Sequence, residues 1–207
     1  MLSSSLKKGS SLFGIVLLVL AAGCAKYTPQ ALPRIQADEK NASKQSGVTG
    51  YAYELTPAEC KKAFSRDASK HGLTAVHLTL SNHSNDTYIF SGQHIGAPVE
   101  SRQSVADTLK IDVAQRVLSW TVPGLFIGLF LIPAVYEWAA SSRANTALAK
   151  DFATRVIGSE ATLQLPPGST ISKVFFVRTD ALPHRLSLKL ENMHTRQFET
   201  VVVPLHP

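Results

Sequence analysis

The sequence predicts a mainly β protein, an antiparallel β-sandwich that is interrupted by an apolar helical hairpin. Two regions, 73–90 and 161–203, show alternating strand patterns separated by turn residues. Between them, residues 117–136 carry no charge. With 44% apolar and 17% charged residues in 207, the composition excludes a chain that is disordered, collagen-like or coiled-coil throughout. The length suits one domain with a substantial core.

The amino-terminal end has the three-part pattern of an export signal. Lys7 and Lys8 precede an apolar run at 12–20, which is shorter than a membrane-spanning helix requires. Small residues occupy 21–23, directly before Cys24. This segment resembles the signal peptide of bacterial lipoproteins, in which the bond before a cysteine is cut and the thiol carries a diacylglyceryl group.

The resemblance implies that residues 1–23 are removed by cleavage between Gly23 and Cys24, and that Cys24 becomes the lipidated and acylated first residue. The chain has Ala21 where that family prefers leucine. It has Ala25, and no aspartate, after the cysteine, which resembles outer-membrane sorting with the protein facing the periplasm. An ordinary cleaved signal peptide and an uncleaved anchor helix are the alternatives.

The mature chain is predicted to have two parts. Residues 24–50 read as the lipidated cysteine with a flexible tether, because they are mostly polar and contain prolines. Residues 51–207 form the β-sandwich-like domain. Near its start, Thr56 and Glu59 have the spacing of a capping box, which predicts a helix that runs to about Lys70.

Strand patterns dominate the rest of the domain. Val76, Leu78 and Leu80 share one face by period two, residues 81–86 are turn formers, and 87–90 predict the returning strand of a hairpin. Four more strands are predicted near the carboxyl-terminal end: 161–165, 170–177, 186–190 and 198–203. Strands at this spacing favour a sandwich that is immunoglobulin-like in architecture.

An insertion at about 103–158 separates the two strand regions. Helical patterns at 104–116 and 139–157 flank the uncharged stretch 117–136, in which two prolines occur. Three interpretations of this stretch are open. It covers a face of the protein's own sandwich, it enters a membrane or a partner as a hairpin, or it spans a bilayer. The candidate membrane- or partner-contact residues lie at its centre: Leu125, Phe126, Ile127, Leu129, Phe130, Leu131 and Ile132.

The sequence contains no pattern of catalytic or metal-binding chemistry. The seven histidines lack the spacing of a helical metal motif, and no nucleophile elbow, phosphate-binding glycine loop or dinucleotide fingerprint occurs. Cys60 has neither a second thiol nor an activating base nearby in sequence, so we expect a small buried residue. No catalytic residue, metal or cofactor is therefore predicted.

These patterns together predict a lipid-anchored protein of the bacterial cell envelope. Removing Lys7 and Lys8 with the signal lowers the formal net charge from +6 to +4, which is too mild and too scattered to indicate nucleic-acid binding. The expected role is structural or that of an adaptor that binds a protein partner in an envelope or secretion assembly. The alternatives are an envelope hydrolase of cell-wall or lipid substrates and a carrier of small apolar ligands.

Overall fold

The computed structural model describes residues 26–33, 43–45, 47–115, 117–118 and 131–206. The chain divides into two compact units. The first unit contains Met1–Tyr27 and Ile111–Ala147, and the second contains Thr28–Lys110 and Leu148–Pro207.

The strands of the second unit form one mixed sheet. It follows the order β5-β4-β7-β8-β2-β3-β6, with β1 paired to β2 beside this path. The strands are β1 (Ser43–Gln45), β2 (Val48–Glu54), β3 (Leu73–Asn82), β4 (Tyr88–Ser91), β5 (Thr162–Leu165), β6 (Thr170–Arg178), β7 (Arg185–Asn192) and β8 (Phe198–His206). Neighbouring strands pair antiparallel, except that Ala52 and Tyr53 of β2 pair in parallel with Leu205 and His206 of β8.

One core lies inside the curve of this sheet. The predicted stripe Val76, Leu78 and Leu80 is buried there, so the period-two pattern of β3 is confirmed. Burying an apolar side chain of this size contributes about 1.5–3 kcal/mol. Side chains from all seven strands of the path meet in the same cluster, so the sheet is nearly barrel-shaped.

The mainly β class with additional helices is confirmed, whereas the immunoglobulin-like antiparallel sandwich is not. The difference comes from β8. Its residues 198–204 pair with β7, and its last two residues pair with β2. This one long strand therefore joins the two ladders into a single mixed sheet.

The named helices are α1 (Pro57–Phe64), α2 (Arg102–Leu109) and α3 (Leu131–Arg155), and short 3-10 turns occupy Ala68–His71, Gly92–His94 and Thr179–Ala181. The predicted capping box is confirmed: the Thr56 hydroxyl accepts from the Glu59 backbone N–H at 3.3 Å, and the Glu59 carboxylate accepts from the Thr56 backbone N–H at 2.9 Å. α1 ends earlier than predicted, because Ser65 takes the left-handed conformation with φ 53°.

The two helical patterns of the insertion are observed with different lengths. α2 ends at Leu109, and α3 begins eight residues before its predicted start, with Pro133 in the first turn, where a missing N–H costs nothing. In the first unit, Asn145 of α3 exchanges two hydrogen bonds with the Ile111 backbone, at 2.7 and 3.0 Å. None of the helices within the described ranges is both long enough and apolar enough to cross a membrane.

In the second unit, aromatic rings join helices to the outer face of the sheet. Phe64 of α1, Phe152 of α3 and Phe176 of β6 pack with ring centroids 5.2 to 5.7 Å apart. Cys60 is buried in α1, and its burial raises the pKa of the thiol, so it stays protonated near neutral pH. It is the small buried residue that the sequence predicts.

Candidate functional site

Most of the predicted site residues lie outside the described part of the chain. Gly23 and Cys24 do so, as do residues 125–130 of the apolar centre. Leu131 and Ile132 form the first positions of α3 in the backbone. The lipidation site and the apolar contact residues therefore stay predictions, and the described residues around them give the physical context.

The segment that follows Cys24 is held to the second unit. The backbone N–H of Thr28 donates to the Ser65 hydroxyl at 3.1 Å, and that of Gln30 donates to the Lys62 carbonyl at 3.2 Å. Arg155 donates to the Gln30 carbonyl at 2.8 Å. We call these hydrogen bonds, which join Thr28 and Gln30 to the end of α1 and to Arg155, the clasp. Within the range predicted as a tether, the clasped residues and strand β1 are both hydrogen-bonded to the domain.

Arg155 is the centre of the clasp. Its guanidinium also donates to the Ala63 carbonyl at 2.7 Å, pairs with the Asp151 carboxylate, and lies 4.8 Å from the centre of the Phe64 ring. The Arg155 and Asp151 side chains are 20% and 17% exposed, so water screens this pair only partly. One side chain thus links α1, α3 and the amino-terminal segment, through charge-assisted hydrogen bonds that contribute about 1.5–3 kcal/mol each.

In the first unit, α3 exposes large apolar side chains. Val135, Tyr136 and Trp138 are 67%, 56% and 58% exposed. Glu137 and Ser141, which are one helical turn apart, are buried. A helix with its polar groups covered and its aromatic groups exposed is the reverse of the pattern expected beside water. We call Val135, Tyr136 and Trp138 the apolar ridge.

A shallow groove of about 340 Å³ runs beside the apolar ridge in the same unit. The alanines of α3 leave room for the amino-terminal segment to approach the helix, and Lys26 and Arg143 are the charged residues of the lining. The full lining is Lys26, Tyr27, Tyr136, Ala140, Arg143, Ala144 and Ala147. The groove therefore offers an apolar surface with positive charge and no carboxylate in its lining.

The outer face of the sheet carries a cluster of polar side chains. Tyr53 of β2 lies opposite His77 of β3 and His206 of β8. His77 Nε2 lies 2.6 Å from the Ser172 hydroxyl, and the Tyr53 hydroxyl donates to Glu59 at 2.9 Å. Burial lowers the pKa of His77, so its ring is neutral near pH 7.

This polar group does not form a recognisable catalytic set. A serine–histidine pair of the hydrolase type has an acid that orients the ring, and His77 Nδ1 has no hydrogen-bond partner among the described residues. Nor do three or more potential ligands cluster as a metal site in the described ranges. Sequence reasoning, which found no metal-motif spacing among the histidines, did not single out His77. The apolar residues on both faces of β3 were the signal that it is buried.

The described residues thus define a mainly β second unit with a clasped amino-terminal segment and, in the first unit, an exposed apolar ridge on α3. No family model, no curated protein and no solved structure matches this chain.

Proposed function

We propose that this protein is a lipid-anchored component of the bacterial cell envelope, placed on the periplasmic side of the outer membrane, with a structural or adaptor role. The observation that carries the proposal is the clasp. The chain is hydrogen-bonded to the second unit from Thr28, four residues after the predicted lipidation site at Cys24. An attached lipid would therefore be linked almost directly to the folded domain, without a long flexible segment between them.

Such an anchor would leave only a short distance between the membrane surface and the clasp. Four residues span at most about 14 Å of extended chain, so the clasp would lie close to the headgroups. Each acyl CH₂ buried in the bilayer contributes about 0.8 kcal/mol, so several acyl chains hold the protein stably where one chain would not. This arrangement suits a protein that presents a surface at the membrane.

The second unit has a surface suited to a protein partner. Phe198 and Val202 share one face of β8 and are exposed, and Met193 is exposed in the turn before this strand. Contiguous exposed apolar patches mark interaction surfaces, and we propose that these side chains form the centre of one. We assign the adaptor contact to this face, and its partner to the proteins of the envelope.

The anchor is tested by replacing Cys24 with serine in the full-length precursor. Intact-mass measurement should show acyl groups on the mature parent, whereas the Cys24→Ser variant should carry no acyl groups and should keep residues 1–23, because in lipoproteins the cut before the cysteine follows its lipidation. Cys60→Ala is the matched control, because this thiol is buried in α1 and its loss should leave the lipid in place. A Cys24→Ser protein that matures and fractionates like the parent would refute the proposal.

A carrier of small apolar ligands is a second candidate, and the groove beside α3 is the observation that favours it. Its volume of about 340 Å³ and its alanine lining could hold an acyl chain. Lipid extracted from purified Cys24→Ser protein should then be lost when Ala144→Leu fills the groove. An unchanged lipid content in the Ala144→Leu variant would exclude this role.

A further inference from the structure

We infer that the apolar ridge of α3 lies in the headgroup boundary of the membrane that holds the lipid anchor, so that the first unit is seated on the lipid surface. This inference rests on the proposed lipid anchor. It adds a second, non-covalent contact with the membrane and assigns that contact to Val135, Tyr136 and Trp138.

The chemistry of the ridge suits a lipid boundary. Tyr and Trp have an apolar ring and a polar group, and both are enriched where a membrane meets water. Val135 and Trp138 are three positions apart and share one side of the helix, with Tyr136 beside them. Leu118, in the same unit, is also mostly exposed. A helix face of this kind lies in the interface plane without crossing the bilayer.

The charged residues near the apolar ridge also favour contact with a lipid membrane. Lys26 and Arg143 line the groove next to Tyr136. Glu137 is the one acidic residue between Leu131 and Ala147, and its side chain is buried. The exposed surface of this part of α3 is therefore apolar and positive, which complements anionic headgroups.

The position of the anchor distinguishes a lipid surface from a protein partner. Lys26 is two residues after Cys24, a distance of at most about 7 Å of extended chain, and it lies in the groove beside Tyr136. The proposed lipid would therefore hold this side of α3 at the bilayer. Because two residues of chain separate the proposed lipid from Lys26, and Lys26 lies in the groove beside Tyr136, the ridge meets the membrane before it can meet a freely diffusing partner.

The test uses Trp138 as its own reporter. The chain has two tryptophans, so Trp120→Phe leaves Trp138 alone. The lipidated full-length mature protein is placed in vesicles of phosphatidylcholine and phosphatidylglycerol with brominated acyl chains, which quench tryptophan emission by contact. Since an interfacial helix inserts about 5–10 Å into the headgroup–acyl boundary, the emission of Trp138 should fall severalfold relative to unbrominated vesicles.

The control places a tryptophan at an exposed aromatic position of the second unit. Phe198→Trp, in a protein whose Trp120 and Trp138 are both phenylalanine, should keep its emission in the same vesicles, because we assign the exposed face of β8 to a protein partner. Equal quenching at both positions, or an unquenched Trp138, would overturn the seating of α3. Intact mass is measured on the same sample, so the two proposals fail separately. A lipid-free Cys24 refutes the anchor, whereas a lipidated chain with unquenched Trp138 refutes only the seating.

A second variant tests the contribution of charge. Arg143→Glu should reduce the quenching of Trp138 in vesicles that contain phosphatidylglycerol, because like charges then face each other. Arg185→Glu, at an exposed position of β7 in the second unit, is the matched control and should leave the quenching unchanged. The same response in both variants would contradict the assignment of Arg143 to the lipid surface.

Discussion

His77 makes the stability of the sheet depend on pH. Burial lowers its pKa below the ordinary 6.5, so the unfolded chain binds a proton at a higher pH than the folded chain does. The stability is fully present above the unfolded pKa and is lost as the pH falls from there towards the folded value. The neutral ring, paired with the Ser172 hydroxyl, is the form that the fold accepts.

We therefore expect His77→Gln to flatten the loss of stability on the acidic side. Glutamine does not titrate and can still bond to the Ser172 hydroxyl. Urea unfolding at several pH values below about 6.5 measures the slope of the free energy of unfolding against pH. His83→Gln, at an exposed histidine in a turn, is the control. An identical slope in His77→Gln and the parent would show that His77 does not control this dependence.

At the scale of elements, Arg155 holds together α1, the end of α3 and the clasped segment. Arg155→Met keeps much of the apolar stem but removes every hydrogen bond of the guanidinium and leaves Asp151 without this partner. We expect the free energy of unfolding to fall by about 2–3 kcal/mol, less than the sum of the separate bonds, because water replaces part of them and their contributions are not additive. The Gln30 amide, which donates to Lys62, should also exchange its hydrogen faster.

Arg178→Met is the matched control for Arg155. Arg178 pairs with Asp180 in β6 and the turn after it, but both side chains are mostly exposed, at 67% and 72%. Pairs of this kind contribute little, because water screens them. Equal stability losses in the two variants, or unchanged exchange at Gln30 in Arg155→Met, would show that the clasp does not depend on Arg155.

At the scale of the whole molecule, the sequence alone predicts those structural features that are determined by residues close together in the chain. The period-two stripe of β3 and the capping box at Thr56 are such patterns, and both are confirmed. The parallel pairing of β8 with β2 was missed, because alternation in Val201 and Val203 shows which face is buried and not which strand lies beside it. The early end of α1 was missed because Ser65 adopts a left-handed conformation without being glycine.

The features of the candidate site also divide into those that a short stretch of sequence predicts and those that depend on the folded chain. The signal pattern before Cys24 is contiguous, so a few residues suffice to predict a lipid anchor, and this anchor stays a prediction. The clasp could not, because Gln30 and Arg155 are far apart in sequence and meet only after α1 and α3 pack together. The apolar ridge shows in the sequence as hydrophobic residues, but their exposure depends on which face of α3 the rest of its unit covers.

The clasp also sets where mechanical tension would act. A pull on an anchored amino-terminal end reaches Thr28 and Gln30 before it reaches β1, because they come first along the chain. Their few hydrogen bonds would break one after another, at a lower tension than the ladders of the sheet, whose many bonds share the load. Under the proposed lipid anchor and adaptor contact, the chain would thus lengthen at this point under tension and keep its folded core.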